Sequence, residues 1–308
     1  MRAMSYDTYG DLDVLSSGDL PEPKLAPGAV LVDIRSAAVN PVDWKLMAGG
    51  LDALMDVTFP VVPGWDAAGV VVGTGPDVPE WQVGDEVLTY ARKDVVGGGT
   101  YAERVAVPAV SVARKPARMT WDEAAALPLA GLTALRMVEL CEVGTGDVVL
   151  VHAGSGGVGH LAVQVARARG ARVLATASEG NHDFLRSLGA EPLVYGDGLP
   201  ERVRELVPGG VDVVLDAVGG VLEQTLAVLA DGGRHASITE PEVEEHGGRW
   251  VWVRPDGAAL GRLTALVESG DLRVEVARTF PLAEAADAVR LSQGGHVRGK
   301  VALRVSEG

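Results

Sequence analysis

The middle of the chain alternates short apolar runs with amphipathic segments, which is the pattern of strands joined by helices. The apolar runs of strand length are Val148–His152, Arg172–Ala177, Pro192–Val194, Val211–Ala217, Arg234–Ile238 and Trp250–Val253. After the first run, apolar residues recur at helical spacing on one face: Val158, Leu161, Ala162, Val165 and Ala166. Six strands with helical crossovers predict an α/β fold with a doubly wound parallel sheet.

The chain before residue 119 has a different pattern. Its apolar runs are short and are separated by Gly, Pro and Asp: Val30–Ile34, Gly69–Val72, Glu86–Leu88 and Tyr101–Val107. Short strands at such spacing predict a barrel-like or sandwich domain. Thr120 and Glu123 form a capping box, which predicts that a helix begins there.

The pattern of the last fifty residues indicates that the chain returns to the first domain. We expect a helix near Ala258–Ser269, a strand at Val274–Phe280, a helix at Leu282–Leu291 and a strand at Lys300–Val305. The predicted domains are therefore 1–119 together with 259–308, and 120–258.

A glycine-rich turn lies between the first strand of the central segment and its helix. Six residues fit the pattern GxGxxG: Gly154, Ser155, Gly156, Gly157, Val158 and Gly159. In a turn of this type, Gly154 allows the tight bend, Gly156 lets the backbone approach a pyrophosphate, and Gly159 lets the helix pack near the strand. The helix N-terminus offers N–H groups to the phosphates. The strand–turn–helix context favours dinucleotide binding over a glycine turn that binds nothing.

Composition narrows the class of partner. The 308 residues are 47% apolar and 22% charged, with a formal net charge of −15. This charge argues against nucleic acids and anionic membranes as partners, and an anionic cofactor would need local positive groups. Cys141 is the one cysteine, so neither a disulfide framework nor a cysteine-rich zinc site is expected. We found no signal-peptide pattern and no membrane-spanning run, and expect a cytoplasmic enzyme.

Motifs along nearly the whole chain carry a family resemblance. They are NPVDWK (40–45), PGWDAAGVV (63–71), VGDEV (83–87), GTYAE (99–103), PLAGLTA (128–134), AGSGGVG (153–159), VLDAVGG (214–220) and HVRGKV (296–301). In these motifs the chain resembles the medium-chain dehydrogenase/reductase superfamily, and within it the zinc-independent quinone oxidoreductase-like branch. The resemblance implies a GroES-like β-barrel domain, built from both chain ends, and a central Rossmann domain.

Zinc-dependent members of this superfamily carry metal ligands that are missing here. The resemblance places Asn40 where those enzymes have a cysteine, Trp65 and Asp66 where they have a His-Glu pair, and Leu129 where they have another cysteine. We therefore expect no metal. A carbonyl group of the substrate would then be polarised by hydrogen-bond donors or a lysine.

Candidate catalytic residues follow from the same resemblance. Asn40, Asp43 and Lys45 lie in the NPVDWK motif, which the family places beside the nicotinamide. In an extended segment Asp43 and Lys45 would share one side, so that Asp43 would hold Lys45 near a developing enolate oxygen or the cofactor ribose. A surface ion pair is the alternative. Thr133 matches a position that contacts the nicotinamide carboxamide, and is otherwise a small helix-packing residue.

Three aromatic residues are further candidates near the substrate. Trp65 would form a wall of the pocket or pack in the core. Tyr90 and Tyr101 flank the glycines at 97–99 and could donate to a substrate oxygen, although tyrosines more often pack.

The end of the second central strand decides between NADPH and NADH. An acid at that position selects NADH, whereas small or basic residues admit a 2′-phosphate. The strand ends in Thr176-Ala177-Ser178, and the donors Ser178, Asn181 and His182 suit a phosphate. Glu179 is the argument for NADH.

Other cofactor contacts come from outside this strand. Tyr195 matches a family position near the adenosine phosphate. The C-terminal basic group, Arg298 and Lys300, would touch phosphate or be a solvated terminus. NADPH is the expected cofactor.

These observations predict an NADPH-dependent, metal-free oxidoreductase that transfers hydride to a quinone, enone or 2-alkenal. Two alternatives share the motifs: an enoyl-thioester reductase of a biosynthetic pathway, and a non-catalytic NADPH-binding sensor. We expect a small-molecule substrate and a homodimer, with the apolar strand Trp250–Val253 available for edge-to-edge pairing.

Overall fold

The computed structural model describes residues 1–306, which form two compact units. The first unit contains residues 1–129, 254–268 and the described chain from Val276 onward. The second contains residues 130–253 and 269–275. The domain boundaries expected from the sequence stay a prediction; the compact units differ from them at residues 120–129, 254–258 and 269–275.

The chain up to residue 140 contributes nine strands and three helices. The strands are β1 (Arg2–Ser5), β2 (Ser16–Asp19), β3 (Ala29–Val39), β4 (Asp56–Val62), β5 (Asp66–Thr74), β6 (Glu86–Tyr90), β7 (Val95–Gly98), β8 (Arg104–Pro108) and β9 (Val112–Arg114). The helices are α1 (Pro41–Met47), α2 (Trp121–Ala126) and α3 (Pro128–Leu140). The short runs recognised in the sequence all fall in or against these strands, because each is an apolar stretch that packs into one core.

The central segment forms the parallel sheet that the periodicity predicts. Its strands are β10 (Val148–His152), β11 (Arg172–Thr176), β12 (Glu191–Leu193), β13 (Val211–Asp216), β14 (Leu229–Ser237) and β15 (Arg249–Trp250), with helices α4 (Gly159–Ala168), α5 (His182–Ser187), α6 (Leu199–Leu206) and α7 (Leu222–Val228). The sheet order is β12-β11-β10-β13-β14-β15, and every pairing is parallel. The doubly wound prediction is confirmed, and the order reverses beside β10, where such sheets bind ligands.

The C-terminal part closes the sheet of the first unit. Its elements are α8 (Gly257–Ser269), β16 (Val276–Pro281), α9 (Ala285–Gln293) and β17 (Lys300–Arg304). The seven-stranded sheet has the path β16-β17-β3-β5-β6-β9, with β8 paired to β3. β17 runs antiparallel to β3, with Ala302 opposite Ala38. The predicted return of the chain to the first domain is thus seen as strand pairing.

The carboxylate of Asp122 attaches helix α2 to the sheet of the first unit by hydrogen bonds. Asp122 accepts hydrogen bonds from Ser36 (2.7 Å), Thr279 (2.8 Å) and Arg304 (2.6 Å). These donors lie on β3, β16 and β17, so the polar first turn of the helix is fixed to the sheet. The capping box that predicted the start of α2 is present, with Thr120 N–H donating to Glu123 at 2.8 Å.

The last two strands of the parallel sheet differ from the prediction. β15 has two residues, Arg249–Trp250, where four were expected, and its continuation leaves the sheet after Val251 N–H donates to Ser237. β14 is longer than expected and begins at Leu229, although it includes Gly232 and Gly233. Pairing with β13, with a register shift in the strand, overrides the turn composition here. Within residues 1–306, the helices are too short or too polar to cross a bilayer.

Candidate functional site

The glycine-rich turn is fixed to the neighbouring strand by backbone geometry. Ala153 follows directly after β10 with a φ of 52°, and its N–H donates to Thr176 Oγ1 at 3.0 Å. Gly154 N–H donates to the Thr176 carbonyl at 2.8 Å. The turn therefore leaves β10 against the end of β11 and leads directly into α4.

The three motif glycines are needed for different reasons. A Cβ atom on Gly154 would lie 2.6 Å from Cβ of Ala175, and one on Gly159 would lie 2.1 Å from the Ala153 carbonyl oxygen. At both positions the neighbouring protein atoms leave no room for a side chain. A Cβ on Gly156 would meet only the Ala153 oxygen, at 3.3 Å. That contact is tight and would require a shift of a few tenths of an ångström, so the fold restricts Gly156 less than it restricts Gly154 and Gly159.

The remaining residues of the glycine-rich turn are half-buried. Ser155, Gly157 and Val158 are neither buried nor fully exposed, and α4 begins at Gly159. The N-terminus of a helix carries a partial positive charge, which favours an anionic group beside residues 157–159. The residues present therefore fit the pyrophosphate of a dinucleotide.

The candidate residues for cofactor choice lie together after β11. Ser178 is exposed, and Asn181 Nδ2 donates to its Oγ at 3.2 Å. Glu179 is exposed between them, in a single 3-10 turn, and His182 begins α5. The structure brings Ser178 and Asn181 into contact; Glu179 is the one acid in the turn.

A neighbouring loop adds an arginine that the sequence analysis did not identify. Ala177 N–H donates to the Leu193 carbonyl at 2.9 Å, which puts the end of β12, and Tyr195 after it, beside the end of β11. Tyr195 is 53% exposed. Arg202 on α6 donates to the carbonyls of Val194 and Asp197, each at 2.9 Å. The two contacts span five and eight positions of sequence, so the arginine holds the loop that immediately precedes its own helix.

A buried polar cluster lies in the first unit. Asp66 at the start of β5 accepts hydrogen bonds from Asn40 Nδ2 (2.9 Å) and from the N–H of Leu129 (2.8 Å). Lys300 at the start of β17 donates to Asn40 Oδ1 and, at 3.0 Å, to the Val39 carbonyl. Burial raises the pKa of Asp66 to about 6, against the opposing effect of the nearby Lys300 charge. Burial lowers the pKa of Lys300, and the two carboxylates around it oppose that shift.

Asp43 is the second carboxylate of this cluster. Its Oδ2 accepts hydrogen bonds from the Asn40 N–H (2.8 Å) and the Tyr101 hydroxyl (2.9 Å). Its Oδ1 is buried and has no hydrogen-bond partner within residues 1–306. Burial raises the pKa of Asp43 to about 7, although both hydrogen bonds lower it. Asp43 also lines a cleft with Trp65 and Lys93. Near neutral pH this carboxyl group can hold a proton.

The expected arrangement of Asp43 and Lys45 is wrong. The segment is not extended but forms helix α1, so the two side chains do not share a side. Asp43 is buried, whereas Lys45 is exposed, with its Nζ 5.6 Å from the centre of the Trp44 ring. Asp43 therefore does not orient Lys45, and the Lys45 ammonium is open to a ligand.

The expected exposed basic group at the C-terminus is also wrong for one member. Arg298 is exposed, but Lys300 is buried because it is the first residue of β17 and its ammonium is directed to Asn40. A buried ammonium near two carboxylates cannot be a surface contact to a cofactor phosphate, so the role expected for Lys300 is wrong. A lysine at the start of the apolar strand KVALR was the signal available in the sequence.

The aromatic candidates and Thr133 are mostly buried. Trp65 is 5% exposed and packs edge to face on Tyr90, with ring centres 6.0 Å apart. Tyr101 is fully buried, and its hydroxyl is already used by Asp43. Thr133 is buried in α3, in the part of the helix that belongs to the second unit.

The donor set around Asp66 is unlike a metal centre. Within the described chain, no group of three or more His, Cys, Asp or Glu residues could hold a metal ion. Each oxygen of Asp66 accepts an N–H, and the positive charge beside it is the Lys300 ammonium.

Comparisons with known proteins cover both units. Residues 26–117 match the alcohol dehydrogenase GroES-like domain, and residues 188–303 match the family described as zinc-binding dehydrogenase. Over 98% of its length the chain is 36% identical to the chloroplastic NADPH-dependent alkenal/one oxidoreductase of Arabidopsis thaliana, of which it covers 79%.

Two solved structures are similar over the whole chain. The quinone oxidoreductase from Coxiella burnetii is 35% identical with a TM-score of 0.88, and the match covers 99% of each chain. A mycobacterial protein solved in complex with NADPH is 29% identical with a TM-score of 0.85, over 99% of this chain and 100% of that one. The predicted combination of a Rossmann sheet and a GroES-like domain is thereby confirmed.

Proposed function

Because the chain belongs to the medium-chain dehydrogenase/reductase superfamily, in its quinone oxidoreductase-like branch, we propose that it reduces an activated carbon–carbon double bond or a quinone with NADPH. Membership makes it an NAD(P)H-dependent oxidoreductase; the substrate class and the preference for NADPH are the proposal. The observation that carries its dinucleotide-binding part is the glycine turn, in which Gly156 is the motif glycine that the surrounding protein restricts least. The cytoplasmic homodimer expected from the sequence stays a prediction.

The glycine turn and its neighbours would hold the dinucleotide. Residues 154–159 and the N-terminus of α4 would receive the pyrophosphate. Ser178 and Asn181 would donate to a 2′-phosphate, with His182 and Tyr195 at the edge of the same surface. The similarity to one protein named as NADPH-dependent and to another solved with NADPH supports this choice. Glu179 would oppose it unless it points away from the phosphate. Arg298, exposed in the first unit, stays a proposed longer-range contact.

Lys45 is the proposed donor to the substrate oxygen. The cofactor, when bound, would supply hydride to the electron-poor carbon of the substrate, so the protein would have to stabilise negative charge on the conjugated oxygen. An exposed ammonium can hydrogen-bond that oxygen, and one well-placed donor is typically worth about 10²–10³ in rate. The Lys45 ammonium lies over the Trp44 ring, 5.6 Å from its centre. The role of Thr133, a contact with the carboxamide, remains part of the proposal.

Asp43 is the proposed proton store of the site. Its carboxyl group titrates near neutral pH, and Oδ1 is the oxygen left without a partner within the described residues. Tyr101 and the Asn40 N–H hold Oδ2 in place. A protonated Oδ1 can therefore release its proton without loss of the hydrogen bonds that position the group. Trp65 lines the same cleft and would exclude water from it.

A panel of substrates tests the proposal. NADPH oxidation would be followed by absorbance with a quinone, a cyclic enone, a 2-alkenal and a 2-enoyl thioester, and each reaction would be repeated with NADH. We expect turnover of at least one of the first three, faster with NADPH. Turnover of the thioester alone would favour a biosynthetic enoyl reductase. Tight NADPH binding without any oxidation would favour a sensor.

A further inference from the structure

A short segment from the C-terminal part of the chain packs on helix α4, within the second unit. Residues 269–275 belong to this unit, although the chain on both sides of them belongs to the first. The side chain of Gln164, 5% exposed, makes two hydrogen bonds to Arg273: Oε1 accepts from its N–H and Nε2 donates to its carbonyl, both at 2.9 Å. The amide thus pairs with the backbone as a neighbouring strand would.

His160 connects the same segment to the glycine turn. Its ring is fully buried, with Nδ1 2.8 Å from the Gly156 carbonyl oxygen and Nε2 3.2 Å from the Glu275 backbone nitrogen. Glu275 N–H can only donate, so Nε2 accepts and the ring proton is on Nδ1. The Gly156 carbonyl therefore accepts from the His160 ring and also from the His160 backbone N–H, at 3.1 Å.

We propose that residues 269–275 are a buttress for the pyrophosphate turn, with His160 as the positioning residue that couples the two. The proposal rests on the proposed function, in which a dinucleotide binds at Gly156. The coupling follows from two hydrogen bonds of the same ring. The backbone N–H of Glu275 fixes the imidazole of His160 through Nε2. The Nδ1–H of that imidazole in turn fixes the carbonyl of Gly156, the turn residue that a phosphate must approach.

Coupling of this kind acts in both directions. A dinucleotide that orders the turn must also stabilise the buttress. A change that releases the buttress must weaken the dinucleotide, even when the changed residue does not touch the turn. Gln164 is such a residue, since within residues 1–306 the hydrogen bonds of its side chain go to the backbone of Arg273 and to the His160 carbonyl.

The first experiment uses Gln164→Leu and a matched control. We expect the NADPH dissociation constant to rise about fivefold or more, within the usual range of coupling between sites. The control is Ser187→Ala, which removes the exposed hydrogen bond between the Arg273 guanidinium and Ser187 Oγ (2.6 Å) from the same segment. Its NADPH affinity should equal that of the unchanged protein. Equal affinity in folded Gln164→Leu would overturn the proposal.

Two substitutions of His160 separate its hydrogen bonds. His160→Asn can still donate to the Gly156 carbonyl but is too short for Glu275, whereas His160→Gln can reach Glu275 with an acceptor oxygen in place of Nε2. Each keeps one connection and breaks the other, so both should bind NADPH more weakly than the unchanged protein. Full affinity in either variant would show that the bridge is not needed.

Amide hydrogen exchange in the unchanged protein gives a readout that needs no substitution. Protection of the Arg273 and Glu275 amides should rise when NADPH is added, and rise much less in the His160 variants. Binding of NADPH with unchanged protection would overturn the buttress while leaving the proposed function intact. Absence of binding by either NADPH or NADH would overturn both.

Discussion

Asn40 Nδ2 donates a 2.9 Å hydrogen bond to Oδ2 of Asp66, and both side chains are buried. These two residues stand at positions where zinc-dependent relatives are expected to carry ligands. The second oxygen of Asp66 accepts from the Leu129 N–H, and Lys300 brings a positive charge to the cluster. Two hydrogen bonds and the charge of a protein cation thus meet the electrostatic needs of this carboxylate.

The first prediction is that the purified protein contains no stoichiometric zinc and keeps its activity in a strong chelator. A divalent cation would have to displace N–H donors from Asp66 and overcome repulsion from Lys300. Elemental analysis combined with chelator titration of turnover is the measurement. One zinc ion per chain, with activity lost on chelation and restored by zinc, would contradict it.

The second prediction concerns the stability contributed by Lys300. Lys300→Met keeps the apolar stem but leaves the buried carboxylates of Asp66 and Asp43 without their cation. Removing one partner of a buried ion pair typically costs about 3–5 kcal/mol, so the free energy of unfolding in urea should fall by that order. Lys45→Met removes an exposed lysine of the same unit and should change it by less than about 0.5 kcal/mol. Equal stability of the two variants would show that the cluster is not electrostatically coupled.

The third prediction separates the motif glycines. Gly156→Val should abolish NADPH binding and leave the chain folded, because its Cβ needs only a small shift of the Ala153 carbonyl, 3.3 Å away, but the side chain would occupy the proposed pyrophosphate space. Gly159→Ala is the contrasting variant: its Cβ would lie 2.1 Å from the Ala153 carbonyl, so it should lower the melting temperature. Calorimetry of NADPH binding and thermal unfolding measure the two effects. Normal NADPH affinity in folded Gly156→Val would mean that the motif is only a turn.

The fourth prediction is a loss of activity as pH rises through about 7. Burial raises the pKa of Asp43 to about 7, and the proposed proton store works only in its protonated form. kcat should therefore fall above this pH, and Asp43→Asn should remove the dependence together with most of the activity. Asp66, with a pKa raised to about 6, is the neighbour that could imitate the effect. If Asp66→Asn abolishes the pH dependence and Asp43→Asn does not, the proton store is assigned to the wrong residue.

The same shift predicts the pH dependence of stability. The pKa of Asp43 is higher in the folded protein than its ordinary value of 3.8, so the folded state binds more protons between about pH 4 and pH 7. This contribution to the free energy of unfolding is complete below pH 4 and is lost as pH rises through 7. Urea unfolding of Asp43→Asn should show a flatter profile over that interval.

The sequence could predict the elements that are set by local rules. The strand–turn–helix at 148–168 and the start of α2 at Thr120 follow from periodicity and capping, and the structure has both. The NPVDWK motif is helical and not extended, also for a local reason. Asn40 followed by Pro41 is a typical start of a helix, and α1 begins there.

The buried polar cluster and the contacts of His160 depend on residues that are distant in sequence, and could not be predicted from it. Lys300 reaches Asn40 only because β17 pairs with β3, and His160 meets Glu275 across 115 positions of sequence. Neither partner can be identified from spacing or periodicity. A lysine in an apolar strand and a histidine in a helix facing the sheet both signal that a buried partner must exist, but not which residue it is.

The product formed from a 2-alkenal with NADPH tests the proposed hydride transfer to the double bond. We expect the saturated aldehyde, with one NADPH consumed per product and slower turnover on NADH. We also expect that Lys45→Met lowers kcat about 10²-fold with little change in the NADPH dissociation constant, as expected for a donor that acts on the transition state. An allylic alcohol as product would show that hydride reaches the carbonyl carbon instead, and would contradict the account.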